Sequence, residues 1–134
     1  MDNITSWNIR GLNGPRKQKD VLSFCRKNKV GLIGLVETKV RSCNYGKVTQ
    51  NLPGWHYYVQ YNDQEKGRLW LIWIPEDFTI QILQSTKHAI YCWVTHSFSG
   101  STFYLTLVYG DNDEIERRKL WELLQDLETG ITKP

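Results

Sequence analysis

The chain has 134 residues, 17 Lys/Arg against 14 Asp/Glu for a formal charge of +3, and six tryptophans. That length suits one modest domain with a real core, and a charged fraction of 23% argues against disorder. No apolar run approaches membrane-spanning length, and three cysteines with no Cys-x-x-Cys pair give poor support for a zinc site or a disulfide framework.

The charge is unevenly spread. Residues 1–47 hold ten Lys/Arg against three Asp/Glu, while residues 48–134 hold seven against eleven. A basic half suits a polyanionic partner such as nucleic acid, although a solvated helix face explains the same split equally well. Asn3-Ile4-Thr5 fits the glycosylation pattern, but no export signal precedes it. The expected location is intracellular, in nucleus or cytoplasm.

In chain order, residues 3–8 alternate weakly and predict a strand. Asn13-Gly14-Pro15 is a turn into a helix over 15–27, with Pro15 suited to the first helical position. Its expected apolar stripe is Val21, Leu22, Phe24 and Cys25. The opposite side carries Arg16, Lys17, Lys19, Arg26 and Lys27. Residues 31–36 are a short apolar run with two glycines, as in a strand buried on both faces.

A strand–helix–strand unit of this length makes two parallel strands joined by a right-handed crossover. Parallel strands end on the same sheet edge, so Asn8 and Glu37 are expected side by side at the carboxyl edge, where open α/β sheets bind ligands. An amide beside a carboxylate suits a hard cation such as Mg²⁺. On geometry alone the commoner reading is that both residues merely end their strands, since most α/β edges are silent.

Residues 41–53 give a weak signal and read as a loop or short irregular segment. Strands are expected over 54–60, 68–74, 78–84, 89–96 and 102–109. The 68–74 run is apolar on both faces and should be central, whereas 78–84 alternates with period two. Gly100 marks the hairpin loop before the last strand. A final helix is expected over 114–128, capped by Asp111–Asp113 and stopped at Gly130.

The runs Trp7-Asn8-Ile9-Arg10-Gly11-Leu12-Asn13, Gly34-Leu35-Val36-Glu37-Thr38-Lys39 and Val108-Tyr109-Gly110 resemble, in that order, motifs of the endonuclease/exonuclease/phosphatase superfamily, the DNase I-like fold. The resemblance is greatest to the endonuclease domain of plant LINE-type (non-LTR) retrotransposons, and Arg117-Arg118-Lys119-Leu120-Trp121 fits the same pattern. It implies an α/β (α+β sandwich) fold and a Mg²⁺ cofactor, with Mn²⁺ as a substitute. It also implies DNA as substrate or ligand. Glu37 would be the metal ligand, and Asn8 and Tyr109 would complete the catalytic set present. Asn8, Arg10, Lys39 and Tyr109 would contact phosphate or nucleic acid. Without the resemblance, Tyr109 reads as a strand-end aromatic that simply packs.

The family continues with a Gly-Asp-x-Asn motif, a later Asp, and a closing Ser-Asp-His. None of these is in the sequence, and Gly110-Asp111-Asn112 lacks the intervening residue. His56, His88 and His96 sit in no such context. Residues 1–134 are therefore expected to be a partial domain: the N-terminal half, one mixed sheet with two main helices. Hydrolysis should be weak or absent, because losing members of a cooperating set removes most of the rate. The sheet's inner face should be exposed, so that a homodimer, another partner at that face, or poor solubility is expected. The alternatives are a non-catalytic nucleic-acid or phosphate-ligand module and a retrotransposon-derived remnant without selected function.

Overall fold

The computed structural model describes residues 1–61, 66–86 and 88–109. The elements are β1 (Asn3–Asn8), α1 (Pro15–Asn28), β2 (Val30–Arg41), a 3-10 turn (Ser42–Asn44) and α2 (Tyr45–Gln50), followed by five strands. These are β3 (His56–Tyr61), β4 (Lys66–Trp73), β5 (Phe78–Ser85), β6 (Ala89–His96) and β7 (Thr102–Val108). The expected final helix and the Arg117–Trp121 run lie outside the described residues.

The strands form two sheets, not one. The first is mixed, in the order β1-β2-β4-β3, and the second is the antiparallel meander β5-β6-β7. Among the described strands only β1 and β2 are parallel, joined by α1 as the crossover. The chain changes sheet at Pro75-Glu76-Asp77, where Asp77 and Phe78 both donate their N–H groups to the Ile74 carbonyl. Proline cannot continue the β4 ladder, so the meander starts a new layer.

Each face of the first sheet has its own core. Ile33, Leu35, Trp70 and Ile72 pack with Val21 and Cys25 of α1 and with Val48 and Leu52 near α2. Their alternating neighbours Leu32, Leu69 and Leu71 pack with Phe78, Ile90, Cys92, Val94 and Leu107 of the second sheet. β4 is thus buried on both faces, as its sequence predicts. Burying each such side chain contributes about 1.5–3 kcal/mol relative to leaving it in water.

This packing corrects the expectation of an exposed inner face. The second sheet, from the same chain, covers Leu32, Leu69 and Leu71, so that face gives no reason to expect a homodimer. The sheets approach so closely at Gly34 that a Cβ there would stand 2.5 Å from the Leu107 side chain. A cleft of about 430 Å³ stays open between the outer strands β1 and β7, lined in part by Ile4, Ser6, Val36 and Leu105.

Two smaller corrections concern the helices. On α1 the buried residues are Gln18, Val21 and Cys25, while Phe24 is 36% exposed and leans on Trp7 with ring centroids 5.4 Å apart. The 41–53 stretch, expected as a loop or short irregular segment, is largely helical, because the 3-10 turn and α2 fall within it. Val48 anchors α2 in the core, and Thr49 Oγ1 donates to the Tyr45 carbonyl. A six-residue helix is too short to show a periodicity. Among the described residues, no helix is long and apolar enough to cross a membrane.

Candidate active site

The parallel β1–β2 pair ends as its sequence predicts. Asn8 is the last residue of β1 and lies opposite Val36, so Glu37 is the next residue along the neighbouring strand. Asn8 alternates in phase with Ile4 and Ser6, which line the cleft, and so faces the second sheet.

Glu37, however, does not end its strand. β2 continues to Arg41 through a bulge, with the β4 register slipping between Val36 and Val40. Inside the bulge Glu37 has φ 59° and Lys39 has φ 56°, and in the facing loop Arg10 has φ 52°. Left-handed backbone at a non-glycine residue costs about 1–3 kcal/mol and persists only when neighbours enforce it. Here the loop after β1 enforces it. The amides of Gly11 and Leu12 donate to the carbonyls of Glu37 and Thr38, each at 2.8 Å, and Asn13 Nδ2 donates to the Lys39 carbonyl at 2.9 Å. Bulges of this kind re-aim side chains next to active sites.

The second sheet reaches the same place. Tyr109 follows β7, and its N–H donates to the His88 carbonyl at 2.7 Å. Its hydroxyl donates to Glu37 Oε1 at 3.3 Å. Asn8, Glu37 and Tyr109, far apart in sequence, thus meet at one end of the sandwich. Arg10 and Lys39 flank them and are exposed.

Sequence reasoning missed three neighbours of this group. Lys17, read only as part of a basic helix face, places Nζ 3.3 Å from the Ile9 carbonyl, directly after Asn8. Asn13 and Gln18 brace the loop. An amphipathic pattern shows that a lysine is on a surface, but not which strand end it overhangs.

Among the described residues no group of three or more His, Cys, Asp or Glu side chains converges on one point. A cation at this edge would take Glu37 as its charged side-chain ligand and the Asn8 amide oxygen, with water or phosphate filling the other positions. That donor set fits a hard ion that keeps much of its hydration. His96 lies at the other end of β6, roughly 25 Å away at about 3.3 Å per residue. There its ring bonds Ser99 Oγ at 2.7 Å and Asp2 Oδ1 at 2.8 Å. This Asp–His–Ser trio ties the β6–β7 turn to the N-terminus. Asp2 is largely exposed there, and Ser99 Oγ accepts the Ser101 N–H.

Comparison with known proteins puts the fold in context. No family profile and no curated protein sequence matches the chain. Solved structures do. The endonuclease domain of TRAS1, a telomere-specific non-LTR retrotransposon, superposes with a TM-score of 0.68 at 10% identity, over 95% of this chain and 54% of that one. TDP2 from D. rerio, complexed with a single-strand DNA product, gives 0.66 at 17% identity, over 96% and 55%. The 3′ phosphatase NExo from Neisseria, bound to a product DNA hairpin, gives 0.58 at 17% identity, over 95% and 52%. The chain therefore has the DNase I-like α+β fold expected from its motifs, and it spans about half the length of the structures it matches.

Proposed function

We propose that this chain forms the metal- and phosphate-holding part of a Mg²⁺-dependent phosphodiesterase-type domain of the DNA-endonuclease kind, with weak or no hydrolysis from these 134 residues alone. One observation carries the reading. The Glu37 carboxylate is held in a strained bulge beside Asn8, and a tyrosine from the opposite sheet hydrogen-bonds to it. Strain of this cost is kept at functional sites more often than elsewhere.

In this reading Glu37 holds the cation, with Mn²⁺ able to replace Mg²⁺. The ion supplies neutralisation of charge on a phosphate oxygen. The Asn8 amide, the Tyr109 hydroxyl, Arg10 and Lys39 orient and stabilise that phosphate. DNA as the ligand is supported by the DNA-bound neighbours and by the basic first 47 residues. Among the described residues none is placed for water activation at this edge. The sequence holds no Gly-Asp-x-Asn and no Ser-Asp-His. The basic first 47 residues also suit a second reading at the same edge: a module that binds nucleic acid or a phosphorylated ligand without cleaving it.

The test is a DNA-binding and plasmid-nicking assay with Mg²⁺ against EDTA. The proposal expects Mg²⁺-dependent binding that Glu37→Ala abolishes, with little nicking. Binding that ignores both Mg²⁺ and Glu37 would contradict it. Efficient nicking lost in Glu37→Ala would keep the site and overturn the expectation of impaired hydrolysis.

A further inference from the structure

Gln18 occupies a core position without being apolar. It lies on the α1 stripe with Val21 and Cys25, is 1% exposed, and has both amide donors and its oxygen in hydrogen bonds. Nε2 donates to the carbonyls of Leu12 at 2.9 Å and Asn13 at 3.3 Å. Its oxygen accepts from Nδ2 of Asn51, at the end of α2. Packing alone would be served by a leucine or methionine, since burying an amide brings no gain over an apolar group of the same shape. The groups that Gln18 holds explain its presence.

Leu12 and Asn13, with Gly11, grip the Glu37 bulge. The Leu12 amide donates to the Thr38 carbonyl and the Asn13 side chain to the Lys39 carbonyl. The Leu12–Asn13 segment is therefore held from both sides. Its carbonyls are fixed by Gln18, and its donors reach the left-handed segment that carries Glu37 and Lys39. The chain of contact is continuous, from Asn51 through Gln18 and the Leu12–Asn13 segment to the bulge.

We propose that Gln18 is a positioning residue for the candidate site, holding the bulge in the conformation that presents Glu37 to a divalent cation and Lys39 to phosphate. This rests on the reading of Glu37 given above. Gln18 itself touches neither ligand and acts through the loop.

Two variants test it. Gln18→Met keeps the volume and removes both donors. Gln18→Glu keeps the acceptor for Asn51 and loses both donors while ionised, but regains one when protonated. The first measurement needs no ligand: amide hydrogen-exchange protection at Gly11 and Leu12. In Gln18→Met, protection at both should fall about tenfold while β4 amides hold theirs. In Gln18→Glu the loss should recover as the pH is lowered, which a purely volumetric role would not produce. The second measurement is the Mg²⁺-dependent part of DNA affinity, which should weaken about tenfold in Gln18→Met. Unchanged protection at Gly11 and Leu12 in both variants would overturn the proposal. So would Mg²⁺-dependent affinity equal to the parent protein's. Failure of the Glu37 reading shows up separately, as a parent protein indifferent to Mg²⁺ and to Glu37→Ala.

Discussion

The Tyr109 hydroxyl donates to Glu37 Oε1 at 3.3 Å, joining the two sheets at the edge where β1 ends. The contact links residues 72 apart in sequence and makes the site a property of the sandwich rather than of either sheet. Tyr109→Phe removes this bond. The expected loss of stability is about 1 kcal/mol, below the usual range for a hydrogen bond to a charged group because the distance is long. Urea denaturation measures it, and combining it with Glu37→Gln should give less than the sum of the two losses.

Gly34 is required by packing. A Cβ there meets Leu107 Cδ1 at 2.5 Å and Cδ2 at 2.9 Å. Leu107 borders the cleft and can turn partly aside, so Gly34→Ala should cost about 1–2 kcal/mol. Gly34→Val has no such escape and should cost more. The urea midpoint should fall for both with the slope unchanged.

Lys17 offers a test of the nucleic-acid reading through salt. Its ammonium overhangs the Ile9 carbonyl beside Asn8, whereas Lys27 lies in the last turn of α1. Lys17→Gln should reduce the slope of log affinity for duplex DNA against log salt by about 0.9, as expected for one lost phosphate contact. Lys27→Gln should leave the slope unchanged.

The three cysteines should react unequally. Burial pushes the thiols of Cys25 and Cys92 up to about 11, which holds them protonated well above neutral pH, while Cys43 is exposed. At pH 8 a disulfide reagent should titrate one thiol rapidly in the native protein and three in denaturant. Two fast thiols would show that one of the cores is looser than described.

Asp2 gives the fold a small acid sensitivity. Its hydrogen bond to His96 holds its carboxyl below the usual value of 3.8, with attraction to the ring adding to this. A depressed carboxylate contributes its stability above the unfolded value and loses it as the pH falls through the folded one. The Asp2 contribution should therefore disappear below about pH 4. Asp2→Asn should reduce the dependence of the urea midpoint on pH in that range.

Much of the architecture was legible because it rests on local signals. Pro15 after Gly14 marked the start of α1, and the doubly apolar run around Leu69–Trp73 marked a central strand. The parallel pairing that sets Asn8 beside Glu37 followed from the length of the crossover. Less was legible where tertiary contacts decide. The division into two sheets depends on which strands find hydrogen-bond partners after Pro75, and strand patterning does not encode that. The bulge at Glu37 is imposed by Gly11, Leu12 and Asn13 from another segment, so its left-handed residues look ordinary in sequence. Gln18 fell outside the apolar stripe because a pattern of apolar residues passes over a buried amide.

The central claim is that the Asn8–Glu37 edge holds a divalent cation. A titration with Mn²⁺, following the free ion by electron paramagnetic resonance, tests it most directly. The account predicts one saturable site that Mg²⁺ displaces, lost in Glu37→Gln and weakened in Asn8→Ala, with both variants still cooperatively folded. Mn²⁺ binding that survives Glu37→Gln unchanged, or no saturable site in the parent protein, would contradict it.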